Sequence, residues 1–112
     1  MNKWGLQACI QNAADPFVLP KMQKYRKIQL IDSSKYEVCL RMSENEELAV
    51  ASFNFHVTAF THPFQIGIEG CKEPITGCVG FGIERWVVAF LTQFGSDEKN
   101  WPEEFRKNIT QV

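Results

Sequence analysis

The sequence predicts an α+β fold: an antiparallel β-sheet of about four strands, in a meander, with flanking helices against one face. Three observations carry this. Tyr36, Val38, Leu40 and Met42 alternate with Glu37, Cys39 and Arg41, the period of a strand with one face buried. A second apolar run, Glu47 to Phe55, follows the turn Ser43-Glu44-Asn45-Glu46, so the two runs pair as a hairpin. Trp86, Val87, Phe90, Leu91 and Phe94 then fall at helical spacing and form one broad apolar face.

Taken in order, Trp4, Leu6, Cys9 and Ile10 indicate a short strand or edge segment entering the turn signal Asp15-Pro16. Pro20 suits the first turn of a helix over residues 20–30, with Met22, Tyr25 and Ile28 as a modest apolar stripe among lysines and arginines. Asp32-Ser33-Ser34 reads as a loop. After the hairpin, His56 to Pro63 reads as a loop and Phe64 to Ile68 as a third strand turning at Glu69-Gly70. Pro74 to Phe81 is a fourth strand, apolar enough to be expected at the centre of the sheet. The long helix stops at Gly95. Asn100-Trp101-Pro102-Glu103 supplies an N-cap, a proline near the start and an acid at the third position for a short final helix.

At 112 residues the chain suffices for a single small domain, 1–112. Its 45% hydrophobic content, with nine Phe and three Trp, can build a core, which excludes a disordered tail. The net charge is −1 and no Lys/Arg run marks a nucleic-acid footprint, so no nucleic-acid partner is expected. No apolar run approaches a membrane span. The cysteines Cys9, Cys39, Cys71 and Cys78 form no CxxC and follow no secretory signal, which points to reduced thiols in a cytoplasmic protein. A Cys71–Cys78 bridge across a hairpin is the weaker alternative.

The chemistry concentrates between Thr76 and Leu91. Gly77, Gly80 and Gly82 let a ligand or another backbone come close, and Glu84 and Arg85 open the helix behind them. A guanidinium there keeps its charge and can grip phosphate with two prongs or stack on a flat ring. The stretch therefore reads either as a nucleotide site or as a strand-to-helix turn whose glycines serve packing.

Gly80-Phe81-Gly82-Ile83-Glu84-Arg85 before an apolar helix resembles motif 3 of the class II aminoacyl-tRNA synthetases. Asp15-Pro16-Phe17, Lys35-Tyr36-Glu37, Ala51-Ser52-Phe53-Asn54-Phe55-His56 and Thr76-Gly77-Cys78-Val79-Gly80-Phe81-Gly82 occur in an order similar to the C-terminal part of the amino acid:[carrier protein] ligases. These are truncated homologues of a zinc-dependent seryl-tRNA synthetase. The resemblance runs from about Trp4 to about Phe105. It implies a partial class II catalytic fold that begins inside a domain. It also implies ATP with Mg²⁺ as cofactor and an amino acid as substrate. The acceptor would be a carrier protein.

Carried over residue by residue, the resemblance makes Arg85 the catalytic ATP contact, with Gly80, Gly82, Glu84 and Asn54 around the nucleotide. Ser52, Asn54 and His56, alternating on one strand face, become the substrate wall. By its own chemistry Glu84 could fix Arg85 or the neighbouring backbone by a charge-assisted bond. Cys78 matches one of three protein ligands of an active-site zinc, and the alternative is a small buried hydrophobe. The other two ligands have no match here, so zinc is expected only with ligands supplied elsewhere. A carboxylate at Glu46 or Glu47 could bind Mg²⁺, or could belong to a solvated turn. Nothing in residues 1–30 resembles motif 2, the source of the α-phosphate arginine. Two readings follow. One is the motif-3 part of a carrier-protein ligase, inactive without a complementary synthetase-like chain. The other is a non-catalytic binding module or truncated paralogue. An open sheet edge would favour a homodimer or hetero-complex.

Overall fold

The structure, a computed structural model, describes residues 4–14 and 34–109. The helix expected over 20–30 and the turn at Asp15-Pro16 lie outside the described residues. The elements are β1 (Ala8–Asn12), β2 (Lys35–Arg41), β3 (Glu47–Val57), β4 (Thr76–Phe81), α1 (Ile83–Phe94), a 3₁₀ turn (Glu98–Asn100) and α2 (Glu103–Ile109). The strands form an antiparallel sheet in the order β1-β2-β3-β4. The chain divides into two compact units, whose described parts are residues 4–10, 38–50 and 81–109, and residues 11–14, 34–37 and 51–80.

In the first unit, Leu6, Val38, Cys39, Leu40 and Val50 are buried, as are Ala89 and Phe90 of α1. The helix has no side-chain N-cap. Gly82 precedes it, and the Gly95 N–H closes it on the Leu91 carbonyl with φ +78°, a left-handed position that favours glycine. Phe90 is the hub of an aromatic cluster, with ring centroids 4.9 Å from Phe94, 5.4 Å from Trp101 and 4.5 Å from Phe105. Trp101 also donates its indole N–H to the Gly95 carbonyl at 2.9 Å, tying the final segment to the end of α1. The expected last helix forms at Glu103. The cap upstream is Asp97, whose carboxylate accepts from the Lys99 N–H and starts the 3₁₀ turn.

The Arg41 N–H donates to the Gln7 carbonyl, so two residues further in, Cys9 stands opposite Cys39. Gln93 locks this end of the pair: its amide donates to the carbonyls of Gln7 and Arg41 and accepts from the Gln7 N–H. Cys9 donates to Glu47 Oε2 at 3.3 Å, and that bond to a carboxylate raises the Cys9 thiol above its ordinary pKa.

In the second unit, the third strand expected over Phe64–Ile68 does not form. Val57 takes φ 51° and ends β3, and the chain then coils. The N–H groups of His62, Phe64 and Gln65 reach back to the carbonyls of Thr58, Phe60 and His62. Phe60 and Phe64 stack at 6.4 Å, a pairing that needs helix-like spacing rather than alternation. A five-residue apolar run carries too little period to tell the two apart. Ile68 makes only an isolated bridge to Cys71. A second difference concerns β4. It lies at one edge of the described sheet, not at its centre, and Val79 and Phe81 are largely exposed. Apolar composition signals contact, and contact need not come from a neighbouring strand. None of the four cysteines is joined in a disulfide. No helix among the described residues is long and apolar enough to cross a membrane.

Candidate functional site

The second unit brings most of the sequence-predicted polar residues together. β3 and β4 pair so that Ser52 stands opposite Gly80, Asn54 opposite Cys78 and His56 opposite Thr76. Because alternate residues share a face, one polar ladder results. Asn54 Nδ2 donates to Ser52 Oγ at 3.3 Å and to Cys78 Sγ at 3.4 Å. His56 Nε2 lies 3.6 Å from Cys78 Sγ, and its Nδ1 lies 3.4 Å from Thr76 Oγ1. Both hydrogens of the Asn54 amide are thus engaged, and its oxygen has no partner among the described residues. That oxygen can accept from an ammonium or a hydroxyl. Phe60 packs edge-on against the His56 ring at 4.6 Å and restricts its rotation.

The glycines of β4 let the two strands approach. A Cβ at Gly77 would stand 3.0 Å from the Asn54 carbonyl oxygen, and one at Gly80 would stand 2.9 Å from Ser52 Oγ. A hydroxyl can change rotamer, whereas a strand carbonyl cannot yield without disturbing the ladder. Gly77→Ala is therefore expected to cost about 1–3 kcal/mol, and Gly80→Ala less. Denaturant midpoints of the two variants check the order; Gly80→Ala as the more damaging change would count against the register.

The first unit holds Gly82, Glu84 and Arg85. A Cβ at Gly82 would come within 3.2 Å of Arg85 Cδ, so the missing side chain makes room for the arginine stem. Arg85 is exposed and donates from Nη1 to the Ala49 carbonyl at 3.0 Å. No ion pair joins it to Glu84 among the described residues, because neighbours in a helix do not face one another. The carbonyl of Ala49 steers the guanidinium instead, a contact that only the folded pairing of β3 beside α1 could reveal. The guanidinium sits beside a helix N-terminus with no side-chain cap, where backbone N–H groups and the helix dipole favour an anion.

A zinc ion at Cys78 does not fit these residues. Only His56 offers a second donor beside it, and the described residues add no third His, Cys, Asp or Glu there. Protein zinc sites draw on at least three side chains. Glu46 and Glu47 stand at the β2–β3 turn, where Glu47 accepts from Cys9 and Glu46 from Ser43.

No protein-family model matches the chain. It is 37% identical over 115 residues to the type-2 serine–tRNA ligase of Methanococcus aeolicus and 40% identical over 117 residues to that of Methanococcus maripaludis strain C7. Each match takes in 98% of this chain and 22% of the relative. It is also 36% identical over 105 residues to the type-2 serine–tRNA ligase of Methanopyrus kandleri. A chain in the crystal structure of A. aeolicus tRNASec in complex with M. kandleri SerRS superposes with a TM-score of 0.76 at 31% identity, over 98% of this chain and 22% of that one. The chain is thus homologous to a region that makes up about a fifth of serine–tRNA ligases, and its sheet and helices are part of the class II synthetase fold.

Two expectations are overturned. The relatives are tRNA ligases, so the carrier-protein acceptor, and with it the carrier-protein ligase reading, falls. The structural neighbour is a complex with tRNA, which contradicts the expectation of no nucleic-acid partner. Net charge misled because the summed charge of a chain says nothing about how charge is distributed over the surface that meets a partner. Short blocks around motif 3 could not separate the two acceptors, since a nucleotide contact is indifferent to where the amino acid goes next.

Proposed function

We propose that this chain is a class II, serine–tRNA ligase-like binding module: it contributes the motif-3 wall of a site for ATP and a small amino acid, and does not activate that amino acid by itself. Arg85 contacts the nucleotide, with Gly80, Gly82 and Glu84 shaping the turn beside it. Ser52, Asn54 and His56 form the substrate wall, where the Asn54 oxygen receives the amino acid's ammonium or hydroxyl. Mg²⁺ accompanies the ATP. The natural acceptor is a tRNA, and the partner completing the site is a complementary synthetase-like polypeptide. Within this reading the chain is a single functional domain.

The observation that carries the reading is Arg85, exposed at an uncapped helix N-terminus and aimed by a backbone carbonyl. The match to serine–tRNA ligases over nearly the whole chain supports it. Lysine in its place keeps the charge and loses the planar fork. Arg85→Lys should weaken ATP binding about tenfold, by calorimetry on the whole chain or on a reconstituted complex. Equal affinity in the two proteins would remove Arg85 from the site.

A further inference from the structure

Cys9, Cys39 and Glu47 lie on three neighbouring strands of the first unit and take no part in the site above. Their donor atoms, two thiol sulfurs and a carboxylate oxygen, all lie within 4.8 Å of one another. The register explains the cluster. Cys9 faces Cys39 across β1 and β2, and the Met42 N–H to Glu46 carbonyl bond brings Glu47 opposite Arg41, one pleat along the same face. Cys39 is only 2% exposed, Cys9 is half-buried and Glu47 stands at the surface. A cavity of about 200 Å³ lined by Gln7, Ala8, Cys9, Arg41 and Glu47 opens beside them.

We infer that Cys9, Cys39 and Glu47 form a second, separate metal site that takes Zn²⁺ through three protein ligands and keeps a fourth position for water. Zinc–sulfur and zinc–oxygen bonds of about 2.3 and 2.1 Å around a tetrahedron place ligand atoms about 3.5–3.8 Å apart. Cys9 Sγ and Glu47 Oε2, at 3.3 Å, already approach that spacing. Closing the remainder takes side-chain rotation and no change of backbone. Two thiolates select zinc over magnesium or calcium, which prefer oxygen. Two thiolates and a carboxylate around a dication leave one surplus negative charge, and the Arg41 guanidinium beside the cavity offsets it. A disulfide is the competing fate of two facing cysteines. Cys9 and Cys39 occupy a hydrogen-bonded pair, however, with Cβ atoms about 5.5 Å apart, wider than the about 3.5–4.5 Å that a disulfide spans. A bound ion would clip β1 to β2 and β3, and its water would face the cavity.

Cobalt reports such a site directly. Reduced, metal-free whole chain titrated with Co²⁺ alone should develop a thiolate-to-cobalt charge-transfer band and tetrahedral ligand-field bands, saturating at one ion per chain and erased by Zn²⁺. Cys9→Ser and Cys39→Ser should each remove most of the charge-transfer intensity, and Glu47→Gln should weaken binding about tenfold or more. Cys78→Ser should leave the spectrum unchanged, which separates this site from any metal at Cys78. Circular dichroism and melting of each variant establish folding. Should buried Cys39 tolerate no change, Cys9→Ser and Glu47→Gln still carry the test. No band in the intact reduced chain, a band that survives Cys9→Ser, or loss of the band on Cys78→Ser would each overturn the site. So would a Cys9–Cys39 disulfide in a chain that takes up no cobalt after reduction.

Discussion

Replacing Phe90 with alanine should destabilise the chain by about 3–5 kcal/mol, the largest effect expected of any single substitution in it. The ring is buried and touches three other aromatic rings, from α1, the loop after it and α2. Its removal would strip those three rings of their shared contact and leave a cavity at the centre of the cluster. A domain's whole stability is only about 5–15 kcal/mol, so the variant should unfold at a much lower denaturant midpoint or fail to accumulate. Trp86 provides the contrast. The helical face alone makes it equal to Phe90, but it is only half-buried and lies flat on Phe81 at 5.2 Å with a 7° interplanar angle. Its indole N–H is hidden from solvent without a partner among the described residues. Trp86→Phe deletes that orphaned donor, so it should cost far less than any truncation at Phe90. A native-like midpoint for Phe90→Ala would mean that the aromatic cluster is not the core of the first unit.

The second large effect concerns catalysis. Serine-dependent ATP–pyrophosphate exchange by the lone 112-residue chain should stand at background. Adenylation demands that a carboxylate be held in line with the α-phosphorus while charge builds on the phosphate oxygens. In the proposed reading Arg85 would supply one grip, and the β3–β4 ladder would supply hydrogen-bonding partners for the amino acid. Residues 1–30 contain nothing resembling motif 2, which carries the second arginine. Loss of one preorganised charge-stabilising donor lowers kcat by about 10²–10³, and here alignment is lost as well. Exchange should appear when a polypeptide carrying motifs 1 and 2 is added, and should then depend on Arg85. Robust exchange by a monomeric preparation free of host synthetase would refute the binding-module reading and restore a self-sufficient enzyme.

How much of this was legible in the sequence follows from the range of each signal. Local periodicity gave the β2–β3 hairpin and α1 nearly to the residue, because both patterns repeat within a few positions. The alternation of Ser52, Asn54 and His56 announced one polar face before any partner strand was known. What they pair with was not legible. The pairs Asn54–Cys78 and His56–Thr76 depend on a register set across about twenty intervening residues, in which the chain coils through Phe60 and Phe64 instead of adding a strand. The Cys9–Cys39–Glu47 cluster was hidden for the same reason: nothing in a spacing of thirty residues says that two cysteines will face each other. The first turn of α1 was expected to carry Glu84 and Arg85, as it does, but the carbonyl that aims Arg85 lies thirty-six positions earlier and has no sequence signature.

Gln93 closes three hydrogen bonds onto backbone groups of Gln7 and Arg41 from the last turn of α1. A side-chain amide here does the work of an extra strand residue, offering the donor–acceptor pattern of a peptide group to the end of an edge strand. The consequence is cooperative. β1 cannot fray from this end without stripping the helix of its anchor, and α1 cannot lift without unzipping β1. The two therefore open as one unit, and the short edge strand β1 inherits the persistence of α1.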